Sequence, residues 1–273
     1  MSDPSPTPPV IQLILDGDRF VPGTLPLTDR GFRYGMSYFE TFALHRGHTL
    51  FLTEHLSRIE HASASFEPPE EWRAASAALL REPAIPDGVA RIYITAGDGS
   101  PTDPPFHPRV AAILEASPEL TGHDLTRTIT TTTIEFPHTP TTGLKTGNYW
   151  SHILARQAAE AAGKDDSILT TAHGRMFSGS MSNVFFLRGN QLLTPPLDDG
   201  ARDGVVRGWV RRNFEATEES VTLDDLPTLS AAFLTNSRIG IQGISRINEH
   251  DLAPSDRVTE IRETYRREVL DAH

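Results

Sequence analysis

The chain of 273 residues contains no cysteine. That absence excludes a disulfide framework, a thiolate nucleophile and any cysteine-ligated metal. Long apolar runs are missing too, so nothing in the sequence reads as a membrane-spanning helix. Positive charge is in short supply: 25 Lys and Arg face 36 Asp and Glu, for a net charge of −11. Nucleic acid and anionic membrane both call for a basic surface, and neither is an expected partner. The sequence has no Gly-rich P-loop, GxGxxG, HExxH or GxSxG. Its eleven histidines are scattered without metal-ligand spacing, so no metal is expected. Residues Met1 to Pro9 lack the basic and apolar regions of a signal peptide and read as a disordered, proline-rich tail. A hydrophobic content of 38% supports a packed core. The expectation is a soluble, cytoplasmic, globular protein.

Turn signals divide the chain. Val10 to Leu15 and Arg19 to Val21 flank Asp16-Gly17, a hairpin signal. Tyr38 to His45 is rich in strand formers, and after Arg46-Gly47 the segment Thr49 to Phe51 is predicted to pair back. Thr53 is predicted to cap a helix running through Ile59, and Glu70 to Leu80 reads as a second helix. Ala90 to Thr95 and Arg109 to Glu115 read as strands around a polar loop from Gly97 to Pro108. The texture changes near Ser117 to Asp124. The expected layout is therefore a tail (1–9), a small N-terminal α+β domain (10–118), a linker (119–124) and a larger C-terminal α+β domain (125–273).

In that second domain Leu125 to Ile134 is Thr-rich and strand-prone. Ser151 to Ala162 predicts a helix stopped by Gly163. Ser167 to Thr171, Val184 to Leu187, Gln191 to Thr194 and Ala231 to Thr235 read as strands, with turns at His173-Gly174 and Gly189-Asn190. Helices are predicted from Gly204 to Ala216 and from Ser255 to Leu270. Strands mixed with a few helices in each half imply two α+β domains.

Four features carry chemistry. Lys145 sits in Gly143-Leu-Lys-Thr-Gly-Asn-Tyr-Trp150, directly before a predicted helix. Such a setting suits a buried amine of lowered pKa that can form a Schiff base, or a solvated surface charge. Gly204-Val205-Val206-Arg207 opens a helix, whose free N–H groups are either an anion site or an ordinary helix start. Thr235 to Gly240 is a polar turn, phosphate-cradling or plain. Arg58 is a phosphate partner or a surface arginine. Taken together, a phosphate pocket beside a reactive lysine points to pyridoxal 5'-phosphate.

Asp29-Arg-Gly-Phe-Arg-Tyr-Gly35 with Phe39-Glu40-Thr41, His55-Leu-Ser-Arg58-Ile59 and Lys145-Thr-Gly-Asn-Tyr149 resemble the class IV aminotransferase family, from about Leu15 to about Ile244. This family of pyridoxal phosphate enzymes includes branched-chain and D-amino-acid aminotransferases and aminodeoxychorismate lyase. The resemblance implies fold type IV in two α+β domains, D-amino-acid aminotransferase-like, and a homodimer. It implies Lys145 as the internal-aldimine lysine and Tyr149 near the cofactor's phenolic oxygen. Arg58, Val205, Val206, Asn236 and Ser237 would bind the phosphate. Tyr34 and Phe39 would line the substrate pocket.

The departures also bear on function. Phe177-Ser178-Gly179 through Asn183 places Ser178 where the family carries a glutamate facing the pyridine nitrogen, with Asn183 closing the segment. A carboxylate there keeps the nitrogen protonated, whereas a hydroxyl only hydrogen-bonds it, which tilts the chemistry toward a lyase. Met36-Ser37 replaces an Asp-Gly pair, Val206 lacks a hydroxyl, and Ala96 stands where several members carry an arginine. Arg91, His107 and Arg109 are candidate replacements for that carboxylate anchor, or ordinary surface and strand-end charges. The expected activity is an aminotransferase acting on a small amino acid. The alternatives are an aminodeoxychorismate lyase-like β-eliminase and a catalytically impaired family member that still binds the cofactor.

Overall fold

The structure is a computed structural model that describes residues 10–102, 104, 106–117 and 129–272. They fall into two compact units, one within Met1–His123 and the other within Asp124–Ala272. The expected tail and linker, and the first four residues of the strand from Leu125, lie outside the described residues.

The first unit is built on a six-stranded antiparallel sheet. Its strands are β1 (Val10–Asp16), β2 (Arg19–Pro22), β3 (Ser37–His45), β4 (His48–Thr49), β5 (Gly88–Thr95) and β6 (Arg109–Ala116). Their order is β2-β1-β6-β5-β3-β4. The Asp16-Gly17 turn closes the first hairpin with Asp16 opposite Arg19, and Gly17 takes a φ of 60° that glycine adopts freely. Three helices accompany the sheet: α1 (Arg30–Tyr34), α2 (Leu52–Ser63) and α3 (Trp72–Arg81). Phe42, Leu44, Ile92, Ile94 and Leu114 from the strands bury against Leu56, Ile59, Trp72 and Leu80 from α2 and α3. Each such side chain contributes about 1.5–3 kcal/mol when fully buried. Side chains alternate along a strand, so Phe39 and Thr41 point away from this core.

Two local expectations fail here. Thr53 does not cap α2. The helix starts at Leu52, and Phe51, two residues before Thr53, occupies the cap with a φ of 53° and no side-chain cap hydrogen bond. The return strand is also shorter than Thr49 to Phe51, because the chain leaves the sheet after Thr49 to enter that left-handed position.

The second unit holds a ten-stranded mixed sheet. Its strands are β7 (Ile129–Glu135), β8 (Asp166–Thr170), β9 (Arg175–Gly179), β10 (Asn183–Arg188), β11 (Gln191–Thr194), β12 (Thr217–Glu218), β13 (Val221–Thr222), β14 (Ala231–Asn236), β15 (Gly240–Ile247) and β16 (His250–Asp251). They run β12-β11-β10-β14-β15-β7-β8-β9-β13, and β16 pairs with β15. Helix α4 (Trp150–Ala161) connects β7 to its parallel neighbour β8. The parallel pairing explains the helix, since parallel strands require a crossover. Gly163, with a φ of 71°, ends that segment as predicted. Helices α5 (Val205–Phe214) and α6 (Asp256–Tyr265) complete the unit, joined through Trp209 and Tyr265, whose rings meet edge to face at 5.1 Å. The predicted closing helix stops at Tyr265 and gives way to a single π-turn, Arg266–Leu270. No helix among the described residues is long and apolar enough to cross a membrane.

Candidate active site

Four segments of the second unit, one of them carrying Lys145, are linked by hydrogen bonds and ring contacts. The first is the Lys145 segment itself. Gly143 precedes it with a φ of 85°, and a Cβ there would lie 3.3 Å from the Ala201 carbonyl oxygen. The lysine is half-buried rather than buried. Its Nζ lies 5.4 Å from the centroid of the Tyr149 ring, at the start of α4. The Arg202 guanidinium carbon lies 5.8 Å from the same centroid. His152, one turn further along α4, stacks on Tyr149 at 4.7 Å and 28° and tilts against Phe136 on its other side. Its Nδ1 lies 2.8 Å from the Ser180 carbonyl oxygen, which makes Nδ1 the protonated nitrogen. Burial first, then the charges of Arg202 and Lys145, push its pKa down to about 4, so the ring is neutral at neutral pH. Tyr149 and His152 also line a cavity of about 250 Å³ with Phe136, Thr142, Leu144 and Thr146.

The second segment is the turn from Ser178 to Asn183. Ser178 Oγ donates to the Ser182 carbonyl oxygen at 2.6 Å. Gly179 N donates to the same oxygen at 2.8 Å. A Cβ at Gly179 would lie 2.1 Å from Ser182 Oγ, so any larger residue must displace that hydroxyl. Ser182 Oγ is buried with no hydrogen-bond partner among the described residues. The Ser180 hydroxyl donates to Asp166, whose pKa burial pushes up.

Asn183 links this turn to the third segment. Its Nδ2 donates to the Arg202 carbonyl oxygen at 2.7 Å, and a Cβ at Gly204 would sit 1.9 Å from its Oδ1. Two residues after Arg202, Gly204 caps α5 without a side-chain hydrogen bond, and no acidic residue follows in the first turn. The leading N–H groups at Val205 and Val206 are thus arranged for an anion.

The fourth segment is the turn after β14. Asn236 Oδ1 accepts from Arg238 N at 2.8 Å and Ile239 N at 2.9 Å, and its Nδ2 donates to the Met181 carbonyl oxygen at 3.2 Å. The Asn236 side chain is therefore a scaffold that folds its own turn. Ser237 lies half-buried within it.

An amine beside an aromatic ring, an uncapped helix start and an Asn-folded turn form a donor set that fits pyridoxal phosphate. Of the expected residues, Lys145, Tyr149, Ser178, Asn183, Val205, Val206, Asn236 and Ser237 all lie in these four linked segments.

The remaining candidates belong to the first unit. Arg58 Nε donates to Glu40 Oε1 at 2.6 Å and Nη2 to Oε2 at 2.7 Å. His55 Nδ1 lies 2.8 Å from the same Oε2. Burial raises the Glu40 pKa, but the Arg58 and His55 contacts outweigh it and hold the carboxyl well below its ordinary range. Phe39 is buried and stacks on Tyr93 at 5.5 Å and 17°. Tyr34 is exposed, with the Arg33 guanidinium 4.8 Å over its ring.

The expected replacements for the missing anchor fare differently. Arg91 is ion-paired with Glu115, and Arg109 donates to Asp29 at 3.2 Å and Asp98 at 2.5 Å. Both guanidinium groups are engaged by the chain's own carboxylates. His107 is exposed, and what it contributes is backbone: a Cβ at Gly97 would lie 1.7 Å from its carbonyl oxygen. The N-terminal signature is likewise structural in large part. Arg30 is fully buried and donates to the carbonyl oxygens of Gly97, Ala96 and Ser100.

Sequence reasoning missed two residues, His152 and Arg202. Nothing local distinguishes either, because each gains its place through Tyr149. A stronger signal for Lys145 was available. The chain has only two lysines, Lys145 and Lys164, among its 25 Lys and Arg residues.

Comparison with known proteins agrees with this geometry. The family model described as amino-transferase class IV matches residues 37–247. A Methanocaldococcus jannaschii protein described as a branched-chain-amino-acid aminotransferase is 28% identical over 234 residues, 81% of each chain. The aminodeoxychorismate lyase of Bacillus subtilis is 29% identical over 241 residues, 81% of this chain and 80% of that one. The crystal structure of a branched-chain aminotransferase from Thermoproteus uzoniensis with norvaline superposes with a TM-score of 0.84 at 24% identity, covering 96% of both chains. The chain belongs to the class IV aminotransferase family, and it is an enzyme of that pyridoxal phosphate family with the type IV fold.

Proposed function

We propose that the protein is a pyridoxal-phosphate-dependent aminotransferase acting on a small amino acid, with Lys145 holding the cofactor. The observation that carries this reading is the placement of Lys145 Nζ against Tyr149, on the unit that also holds the uncapped start of α5. Bound pyridoxal phosphate supplies an electron sink for the pair left when the substrate loses its α-proton. Lys145 Nζ takes that proton and returns it. The Val205 and Val206 N–H groups and the Asn236–Ser237 turn bind the phosphate. Arg58 has the same role by resemblance, with its fork oriented by Glu40. Tyr149 directs the amine, and neutral His152 holds the Tyr149 ring. Tyr34 and Phe39 contribute to the substrate pocket by resemblance. A cytoplasmic homodimer completes this reading.

The lysine count makes the test direct. In Lys164→Arg protein Lys145 is the only lysine. Borohydride reduction with pyridoxal phosphate should then fix the cofactor on the peptide containing Lys145. Lys145→Ala should abolish both adduct and turnover. Absence of the adduct in folded protein, or turnover surviving Lys145→Ala, sinks the reading.

One observation favours a second reading, an aminodeoxychorismate lyase-like eliminase. Ser178 stands where a carboxylate would hold positive charge on the cofactor nitrogen, and its hydrogen is already given to Ser182 O. That arrangement suits a reaction needing a weaker electron sink. Turnover of aminodeoxychorismate with no conversion of any amino donor would put the lyase ahead. Cofactor bound on Lys145 with neither activity would identify a catalytically impaired member.

A further inference from the structure

Arg202 is anomalous among the buried and partly buried arginines. Arg58 is paired with Glu40, Arg91 with Glu115, Arg109 with Asp29 and Asp98, and Arg207 with Glu218. Fully buried Arg30 has three carbonyl acceptors. Arg202 has no carboxylate partner among the described residues. One long hydrogen bond reaches Leu144 O at 3.5 Å, its guanidinium carbon faces Tyr149, and its Nε is buried without an acceptor. A guanidinium carries five donors in a planar fork that matches a carboxylate, and leaving it unmatched in a partly desolvated site is costly.

Its backbone is not free to move away. Asn183 Nδ2 holds the Arg202 carbonyl, and Gly204, two residues on, packs closely against the same Asn183 side chain. The side chain is thus aimed at Tyr149 by a fixed backbone, and Tyr149 is also the ring that faces Lys145 Nζ. A reactive amine and an unmatched guanidinium share one aromatic ring. A small amino acid carries an amine and an acid group, the two functions that a reactive amine and an unmatched guanidinium would engage. The phosphate has its own donors in the α5 N–H groups and the Asn236 turn.

Resting on the reading of Lys145 as the reactive amine, we propose that Arg202 recognises the carboxylate of the amino substrate. It is a specificity-determining residue whose fork receives the acid group and so favours amines that carry one.

The test compares Arg202→Leu and Arg202→Lys with the parent. With alanine and glutamate as donors, Arg202→Leu should raise KM at least ten-fold and leave kcat within about three-fold, with Arg202→Lys between the two. Alaninol, which keeps the amine and lacks the carboxylate, should be handled equally by all three proteins. Affinity for pyridoxal phosphate should not change. Independently of turnover, calorimetry should show that glutarate binds the parent holoenzyme and binds Arg202→Leu at least ten-fold more weakly. Equal losses for alaninol and alanine, unchanged glutarate binding, or no glutarate binding to the parent would overturn the proposal. A drop in cofactor affinity would assign the guanidinium to the phosphate and overturn it too. Failure of the Lys145 reading would look different, since borohydride would then trap no adduct on Lys145 even in the parent.

Discussion

Tyr149 and His152 stack at 4.7 Å with 28° between their planes, so the ring that faces Lys145 is backed by a histidine rather than by the hydrocarbon core. His152 is in turn held by Ser180 O on the neighbouring turn. One residue therefore couples the lysine segment to the segment carrying Ser178.

A pH dependence follows from that stack. The folded pKa of His152 is pushed down to about 4, whereas an unfolded histidine titrates near 6.5. Between those values the unfolded chain binds more protons, so stability rises with pH. The contribution is fully present above about 6.5 and is lost as pH falls toward 4. It amounts to roughly 2 kcal/mol after allowance for the partial exposure of the ring. Urea unfolding at several pH values should show this slope, and His152→Gln should flatten it.

Glu40→Gln should be among the most damaging single changes in the first unit. The carboxylate is 1% exposed and compensates Arg58 while contacting His55. Removing its charge breaks the Arg58–Glu40 ion pair, at a cost of about 3–5 kcal/mol for a buried pair. Because the folded Glu40 pKa is depressed, its contribution is present above the unfolded value near 4.3 and declines as pH falls below it. Denaturant midpoints of the variant and parent at pH 7 and pH 3 should therefore converge at the lower pH.

Gly204→Ala tests the link between the turn and the helix. The backbone there is ordinary, with a φ of −75°, so strain is not the issue. The obstacle is Asn183 Oδ1, 1.9 Å from the new Cβ. The side chain of Asn183 must swing away and release Arg202 O, for an expected loss of about 1–3 kcal/mol. Cofactor affinity should fall along with the melting temperature. An unchanged dissociation constant for pyridoxal phosphate would show that the α5 start does not depend on Asn183.

Ser178→Glu addresses the choice between transfer and elimination. Restoring a carboxylate should raise the rate of amino-donor conversion at least ten-fold relative to any elimination activity. Single-turnover absorption measurements of parent and variant would read that ratio, and an unchanged ratio would remove Ser178 as the determinant. Some stability is also at stake, because the new side chain displaces the Ser178–Ser182 hydrogen bond, worth about 1 kcal/mol.

Much of the architecture was legible because it is local. Asp16-Gly17, Arg46-Gly47 and Gly163 announce left-handed positions wherever they stand, and the structure places Gly17, Gly47 and Gly163 there. Strand β15 was not legible. Its isoleucines at 241, 244 and 247 recur every third residue, a spacing that hides a strand. A β-bulge between Ile244 and Arg246 shifts the register so that Ile244 and Ile247 enter one core. Strand β9, reading Arg-Met-Phe-Ser-Gly, has no β-branched residue to reveal it and is set by its partners β8 and β13.

Site chemistry divides along the same line. Sequence alone determined the family and singled out the Lys145 segment, the helix start at Gly204, the turn at Asn236 and Ser178, because each lies in a short contiguous motif. Tertiary structure alone decided what the isolated charges do. Arg109 reaches Asp29 across 80 positions and Arg91 reaches Glu115 across 24, so both ion pairs are products of the tertiary fold. Arg202 and His152 meet only over Tyr149. A charge is defined by what lies within a few ångströms, and for these residues folding, not sequence separation, sets that distance.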